Sequence, residues 1–585
     1  ILKAKTEGPA AYVLPADDPH PGAQASLLKV LQRQGVEISR ATAPFTVTLP
    51  VKKTEARPTT DNGQDDGRNG RDGRGQQGKE QQDKGRPTTR TFPAGSYIVR
   101  MDQPYSRIAD SLLDYQYWSP NDPQRTPYDD TGWTFPELFN TQAVRITDVK
   151  VLDAPAEKVS DVRAKGSVSD TGSVFLVDHN TDPALVTLRY RFKDASFDAA
   201  EEPFELAGRK FNRGSFVIRN VPAADMQKAA ADLGLQVTAV ASAPSVRTHP
   251  LRAPRIAVLH TWLSTQTEGW WRHAFDDAKV PFTYINTQQV AKDDNLNARF
   301  DVIVFAPVGR GTEAIVNGMP MWGNPLPWKK TSDTPNLGSE DQTDDMRPGL
   351  GWSGVEHLQQ FVRNGGLLIT SMDTAELAAS TGLTPGLTVA ARQRMRIVGS
   401  VVRSKMVDAT SPLAYGYADN LAIWCDNGPI FNVSSIYGAR GGRRLGPDDG
   451  GNRPTGRGQQ DDVDVPQGRT PADVPQEPRV DAWQAAPVTT EQLRNGINVI
   501  PPAMRPRVVL RYADTRDLLV SGLVENGNEI AQHAAVVDVP LEKGHVVLFS
   551  NNPIWRGETE GSYFLVFNAL MNFDQLNAGR KLDSK

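Results

Sequence analysis

The chain has 585 residues, more than one hydrophobic core normally organises, which predicts roughly two to four domains. A formal charge of -4 with both signs interspersed excludes a general electrostatic pull toward nucleic acid or anionic lipid. A mean hydropathy of -0.46 without any apolar run near ~18 residues excludes a membrane-spanning helix, and the single cysteine, Cys425, excludes an intrachain disulfide and a multi-cysteine metal site.

The chain opens on Ile1-Leu2-Lys3, without an initiator methionine or a signal-peptide pattern, as expected of a processed product or a piece of a longer protein. Ala11-Tyr12-Val13-Leu14 is an apolar run of strand length, and Leu27, Leu28, Val30 and Leu31 predict an amphipathic helix after it. Val36-Glu37-Ile38 and Pro44-Phe45 follow. Residues 53–91, rich in Gly, Gln, Asp and Arg, cannot bury enough apolar surface to offset the entropy of ordering and read as a solvated insertion. Asp65, Asn69 and Gly70 loosely match a calcium loop there, but Gly67 and Gln76 stand where ligands belong, which argues against calcium. Beyond the insertion come Gly95-Ser96-Tyr97-Ile98-Val99-Arg100, Pro104, and a helix carrying Ile108 and Leu112.

The same series then recurs. Val174-Phe175-Leu176-Val177 leads to Pro203-Phe204, then to Gly214-Ser215-Phe216-Val217-Ile218-Arg219, Pro222, and a helix with Met226, Ala229 and Leu233 closed by Gly234. This repetition predicts a duplicated small α/β unit, one copy in 1–140 and the other in 141–250, each a parallel or mixed sheet covered by helices. From Arg255 a third block begins. Arg255 to His260, Phe282 to Ile285, Asp301 to Phe305 and Leu367 to Thr370 read as strands, with helices around Trp270, Trp271, Ala274 and Phe275 and over Val355 to Val362. Such a βαβ series predicts a doubly wound, flavodoxin-like domain over 251–585, with insertions at 309–350 and 439–500. Further strands are expected at Val508 to Tyr512, Leu518 to Ser521, Ala534 to Val539 and His545 to Phe549, before a last helix from about Ser562 to Phe573.

Ala11 to Pro15, Phe92 to Asp114, Pro127-Tyr128-Asp129 and Gly132-Trp133-Thr134 resemble the region that follows the peptidase domain in large bacterial zinc carboxypeptidase-like proteins of carboxypeptidase A type. Pro254 to Trp262, Phe300 to Phe305, Gly365 to Thr370, Pro412 to Tyr417 and Gly544 to Leu570 resemble the class I glutamine amidotransferase-like module that follows a duplicated α/β region in such proteins. The resemblance implies an accessory, scaffold portion of a periplasmic or secreted metallopeptidase. Its partner would be a zinc peptidase domain or subunit, covalent or processed, and a homo-oligomer is compatible with it. The peptidase holds zinc on His-x-x-Glu plus a distant His. None of His20, His179, His249, His260, His273, His357, His533 and His545 has Glu three residues on, so zinc is expected only upstream, and no metal ligand or cofactor is assigned in this chain.

An amidotransferase needs a cysteine on a tight turn after a strand, activated by a histidine and a carboxylate. The matching turn reads Thr370-Ser371-Met372-Asp373, without cysteine, while Cys425 is expected on a strand as a small buried hydrophobe. No catalytic residue is therefore assigned. His260, Trp262, Glu268, Trp270, Ser371 and Asp373 are predicted to line a ligand crevice at the carboxyl end of the sheet. The plainer reading makes Ser371 and Asp373 caps of the next helix and the tryptophans core residues. A stand-alone binding or structural protein, and a hydrolase built on Ser371 and Asp373, stay open as alternatives. Arg556 and Glu558 either bind an anion or pair on the surface. Asn432-Val433-Ser434 matches a glycosylation acceptor, a pattern frequent by chance.

Overall fold

In the computed structural model, the described residues are 2–49, 88–124, 127–437, 480–494 and 498–581. The calcium-loop reading over 65–76 and most of the insertions expected over 53–91 and 439–500 lie outside them. The chain is a mixed α/β protein with several sheets, and it divides into two compact units: Ile1–Asp18, Leu28–Asp114 and Gln142–Val162 form one, and Pro19–Leu27, Tyr115–Thr141 and Arg163–Lys585 the other.

In the first unit a short helix α1 (Leu2–Thr6) precedes β1 (Ala11–Leu14), and α2 (Pro21–Arg33), which belongs to this unit from Leu28, leads on to β2 (Ile38–Ala41). A hairpin of β3 (Phe45–Leu49) and β4 (Thr88–Phe92) is pinned by stacking of Phe45 on Phe92 at 5.4 Å. The insertion expected over 53–91 thus ends before Thr88, because Thr88–Phe92 find ladder partners. Then come β5 (Tyr97–Arg100) and α3 (Ser106–Leu113), and, after the single turn α4 (Phe135–Leu138) of the second unit, β6 (Val144–Ile146) and β7 (Ala156–Val159). The helix stripe on α3 falls on Ala109 and Leu113, one residue beyond the expected Ile108 and Leu112. The strand order is β6-β1-β5-β2-β7, and every neighbouring pair is antiparallel. The expectation of a parallel or mixed sheet therefore fails here for a definite reason. β1 and β2, joined through α2, do run the same way, but β5 inserts between them, a split β-α-β arrangement.

The second unit begins with β8 (Ser167–Ser169), β9 (Val174–Val177), α5 (Ala184–Arg191), β10 (Ser196–Ala200), the hairpin β11 (Phe204–Leu206) and β12 (Arg209–Phe211), β13 (Phe216–Arg219), α6 (Ala223–Leu233), β14 (Gln236–Val240) and β15 (Thr248–Pro250). Its order is β15-β10-β13-β9-β14-β8, antiparallel except for β14 with β8. Of the block expected over 141–250, Gln142–Val162 belongs to the first unit, and the rest shares its compact unit with the described residues from 251 onward.

The large sheet follows from β16 (Ile256–His260), α7 (Gln266–Asp277), β17 (Thr283–Asn286), α8 (Thr287–Lys292), β18 (Val302–Phe305), α9 (Thr312–Asn317), α10 (Gly351–Arg363), β19 (Leu367–Ser371) and α11 (Asp373–Ser380). Next are β20 (Leu387–Ala390), β21 (Arg396–Ile397), β22 (Ser400–Met406), β23 (Asn420–Cys425), β24 (Ile430–Val433), α12 (Thr490–Arg494), β25 (Arg507–Tyr512), β26 (Leu519–Ser521), β27 (Val524–Glu525), β28 (Ala534–Leu541), β29 (Gly544–Phe549) and α13 (Glu560–Met571). β17, β16, β18, β19 and β29 are parallel, and β28, β25, β22 and β23 extend the sheet antiparallel from β29. Period-two alternation divides the parallel strands between two cores. Ile256, Val258, Val304, Ile369 and Val547 pack with α7 and α13, while Ala257, Leu259, Ile303, Leu368 and Val546 pack with α8, α9, α10 and α11. Helices thus cover both faces of the parallel half.

Residues Gly561 to Met571 of α13 are all buried, against both the large sheet and Phe175, Phe197 and Phe216 of the neighbouring one. Asn568 within it and Asn572 just past its end are both paired. Asn568 Nδ2 donates to Leu413 O at 3.2 Å and Tyr415 O at 2.9 Å, so its Oδ1 is left to accept from His179 Nε2 at 3.0 Å. Asn572 Oδ1 meets His249 Nε2 at 2.8 Å. Gly214, in the turn before β13, has φ +89°, and a Cβ there would lie 2.5 Å from that of Tyr415.

Asn568→Leu would leave His179 and two buried carbonyls without partners, and a loss of about 3 kcal/mol or more is expected in urea unfolding. Burial pushes the His179 pKa down to about 4, from 6.5. The unfolded chain therefore takes up this proton first, so the stability supplied by the neutral ring is complete above pH 6.5 and is lost as pH falls toward 4. Burial raises the Asp182 pKa to about 6, which acts in the opposite sense within that window. The measurement is thus a difference: the advantage of the natural protein over His179→Gln should shrink by about 3 kcal/mol between pH 7.5 and 4.5. A constant difference would contradict it.

Candidate functional site

β16, β18, β19 and β29 end along one edge of the sheet, where doubly wound folds bind ligands. β19 turns into α11 through Met372, whose φ of 55° and ψ of -118° place a bulky residue in a region suited to glycine. Packing imposes the strain. Met372 N donates to Phe549 O at 2.9 Å, Thr374 Oγ1 donates to Phe305 O at 2.7 Å, and Ser371 Oγ donates to Asn551 O at 2.8 Å. Gly428 packs against the same place: a Cβ there would lie 1.9 Å from Ser550 O and 3.1 Å from Met372 Sδ. A sharp strand-to-helix turn of this kind presents the nucleophile in acyl-transfer enzymes. Methionine brings a thioether, which has no proton for a base to remove.

Amides beside such a turn stabilise an oxyanion in acyl transfer. Here the amides of Val308 and Arg310 donate to the Asp373 carboxylate at 3.0 and 3.4 Å. Burial pushes the Asp373 pKa up against the pull of these amides. The position after β29 is held by Ser550, Asn551 and Asn552, all buried. Cys425 ends β23 in a buried position, and burial pushes its thiol up to about 12, so it is no thiolate nucleophile.

Beside the turn, Trp424 stacks on Trp555 at 4.3 Å, and Trp555 Nε1 donates to Asp130 Oδ2 at 2.7 Å. Arg556 bonds Asp129 and lies 3.5 Å from Asp130. Burial raises the pKa values of Asp130 and Asp426, and burial followed by the Asp130 charge lifts Glu558 to about 7. Arg556 is thus neither an exposed surface ion nor free for an anion. Its partners come from more than 400 positions away, without any spacing signal in the sequence.

A second cluster occupies the ends of β16 and β17. His260 is buried, its Nε2 is 2.8 Å from Asp341 Oδ2, and its ring stacks on Tyr284 at 4.2 Å with Trp262 edge-on at 4.9 Å. Asn286 Nδ2 donates to the same Asp341 oxygen at 2.7 Å. Tyr284 OH donates to the buried Glu268, which also accepts from Arg272 Nε at 3.2 Å. Burial lowers the His260 pKa against the pull of Asp341, and raises that of Glu268.

No family model and no curated protein matches this sequence. Solved structures resemble it weakly. A cytoplasmic protein from Salmonella typhimurium shares 10% identity, with 55% of this chain and 98% of that one covered at a TM-score of 0.26. A ThuA-like protein from Bacteroides uniformis shares 9%, covering 56% and 94% at 0.25, and a β-galactosidase from Bacillus circulans sp. alkalophilus shares 8%, covering 57% and 32% at 0.25. This chain therefore spans about a third of the β-galactosidase. Likenesses of this size bear on neither activity nor ligand.

The predicted crevice separates into two places. His260, Trp262 and Glu268 come together at β16 and β17, whereas Ser371 and Asp373 lie at β19, two strands away from β16, and are engaged by backbone groups. Trp270, on α7, is partly buried and makes no ring contact with that cluster. Asp341, Asn286 and Tyr284 were missed. The run Asp341 to Asp345 sits in a long irregular stretch with nothing to mark which carboxylate turns inward. Among the described residues no group of three or more His, Cys, Asp or Glu side chains is placed to hold a metal ion.

If the turn at Met372 is strained by its neighbours, then Met372→Gly should stay within about 1 kcal/mol of the natural protein, while the β-branched Met372→Val should cost at least about 2 kcal/mol. Equal losses for both in chemical denaturation would refute the strain.

Proposed function

We propose that this chain is a non-catalytic accessory portion of a zinc carboxypeptidase-like protein of the periplasm or cell exterior, with the zinc carried by another domain or subunit. The observation that carries the non-catalytic half is the turn after β19. It holds a methionine where a nucleophile would stand, and the adjoining amides are taken by Asp373. The peptidase half rests on the resemblance of Phe92 to Asp114 and Gly544 to Leu570 to the region following such peptidase domains.

The parallel half of the large sheet, with helices on both faces, supports reading 251–585 as amidotransferase-like. The duplication of the preceding region is supported by strand order. β6-β1-β5-β2-β7 and β14-β9-β13-β10-β15 follow one plan, each with a hairpin between its second and third long strands and a positive-φ glycine, Gly95 or Gly214, before the third.

The purified chain is expected to release neither ammonia from glutamine nor carboxy-terminal residues from peptides. The native polypeptide, or the complex isolated with it, is expected to hold one zinc and a His-x-x-Glu motif with a later histidine. Turnover by the chain alone would remove the non-catalytic reading. A native assembly without zinc would remove the peptidase assignment and leave a stand-alone binding protein.

A further inference from the structure

We propose that the ends of β16 and β17 form a receptor for a carboxylate ligand, kept closed in this structure by the chain's own Asp341. Two donors converge on one oxygen of that side chain, His260 Nε2 at 2.8 Å and Asn286 Nδ2 at 2.7 Å. Neither donor depends on Asp341 for its aim. The His260 ring is held by Tyr284 and Trp262. Asn286 caps α8, accepting the Gln289 amide at 2.9 Å on Oδ1, which fixes its Nδ2 toward the site. A receptor made of side chains positioned by other contacts is pre-organised for its ligand.

A second acidic side chain adjoins it. Glu340 takes Arg272 NH1 at 3.2 Å, while Arg272 lies over Tyr284 at 4.4 Å and is steadied by Glu268. Trp262 Nε1 is buried and has no hydrogen-bond partner among the described residues, so the cluster holds one donor that Asp341 does not satisfy. Glu340 and Asp341 thus each occupy a basic or amide donor of this cluster.

Asp341 can leave without unfolding the sheet. It belongs to the segment between α9 and α10, which is anchored separately by bridges of Gly318 with Pro348 and of Trp328 with Thr343, and by Arg347, whose guanidinium bonds Asp345 and the carbonyls of Trp322 and Gly323. An external carboxylate would compete with Asp341 for the two donors, while the segment keeps its other anchors. This inference does not depend on the non-catalytic reading above.

Succinate is the probe, with sodium chloride at matched ionic strength as the control. In the natural protein, succinate but not chloride should bind in a saturable manner by calorimetry. Asp341→Asn should bind succinate about tenfold more tightly, since the internal competitor is gone. His260→Phe, which keeps the ring stack, should bind none. Equal effects of succinate and chloride on the natural protein would overturn the proposal, as would Asp341→Asn binding no more tightly than the natural chain. The arm on the natural protein decides by itself should a variant fail to fold.

Discussion

Helix α13 is buried on every side from Gly561 to Met571, and the rest of the second unit is arranged around that fact. A helix without a polar face must be covered by two layers. One is the large sheet, and the other is the block of β9, β10 and β13 with Phe175, Phe197 and Phe216. The helix backbone satisfies itself, but Asn568 and Asn572 are polar groups in a dry interior and need partners. His179 and His249, both from the neighbouring block, supply them, and Asn568 also ties the 413–415 turn. Apolar burial supplies the bulk of the attraction, while these few hydrogen bonds fix the angle and register at which the layers meet.

That arrangement determines what the carboxyl edge of the sheet can do. The segment leading into α13 carries Asn551, Asn552 and Trp555, so burying the helix also draws these residues over the ends of β19 and β29. Met372 accepts a strained conformation because Phe549 and Thr374 clamp the turn from both sides, and Gly428 leaves room for the thioether. The strain usually associated with a reactive residue is present here without the reactive atom. Geometry alone would have suggested chemistry at this turn, and only the identity of residue 372 separates the two.

The strands of the parallel half were legible because each is a short apolar run closed by turn residues. Leu367 to Ser371 is buried throughout, as expected for a strand covered on both faces. The direction of β28, β25 and β22 was not legible, since periodicity is the same for parallel and antiparallel strands. Nor was the insertion of β5 between β1 and β2, which depends on long-range pairing. At the candidate site, strand ends were readable and partners were not. His260 stood out as a histidine closing an apolar run, whereas Asp341, Asp129 and Asp130 lie in polar stretches where every carboxylate looks alike. The expected union of His260 with Ser371 failed because β18 lies between their strands.

Both anion positions along this edge are filled by the chain itself, but not in the same way. Asp373 is two residues beyond the end of β19 and already in the first turn of α11, so its carboxylate has no freedom to leave the amides of Val308 and Arg310 without breaking the helix start. Asp341 is carried by a segment with no helix or strand between α9 and α10, and that segment keeps its other anchors if the side chain swings out. Leaving a buried donor unpaired is costly, so each donor set needs an acceptor from somewhere. For the Asp373 set the demand is met permanently by local geometry. For the His260 and Asn286 set it is met by a tethered group, whose hold is set by an effective concentration and is open to competition from solution.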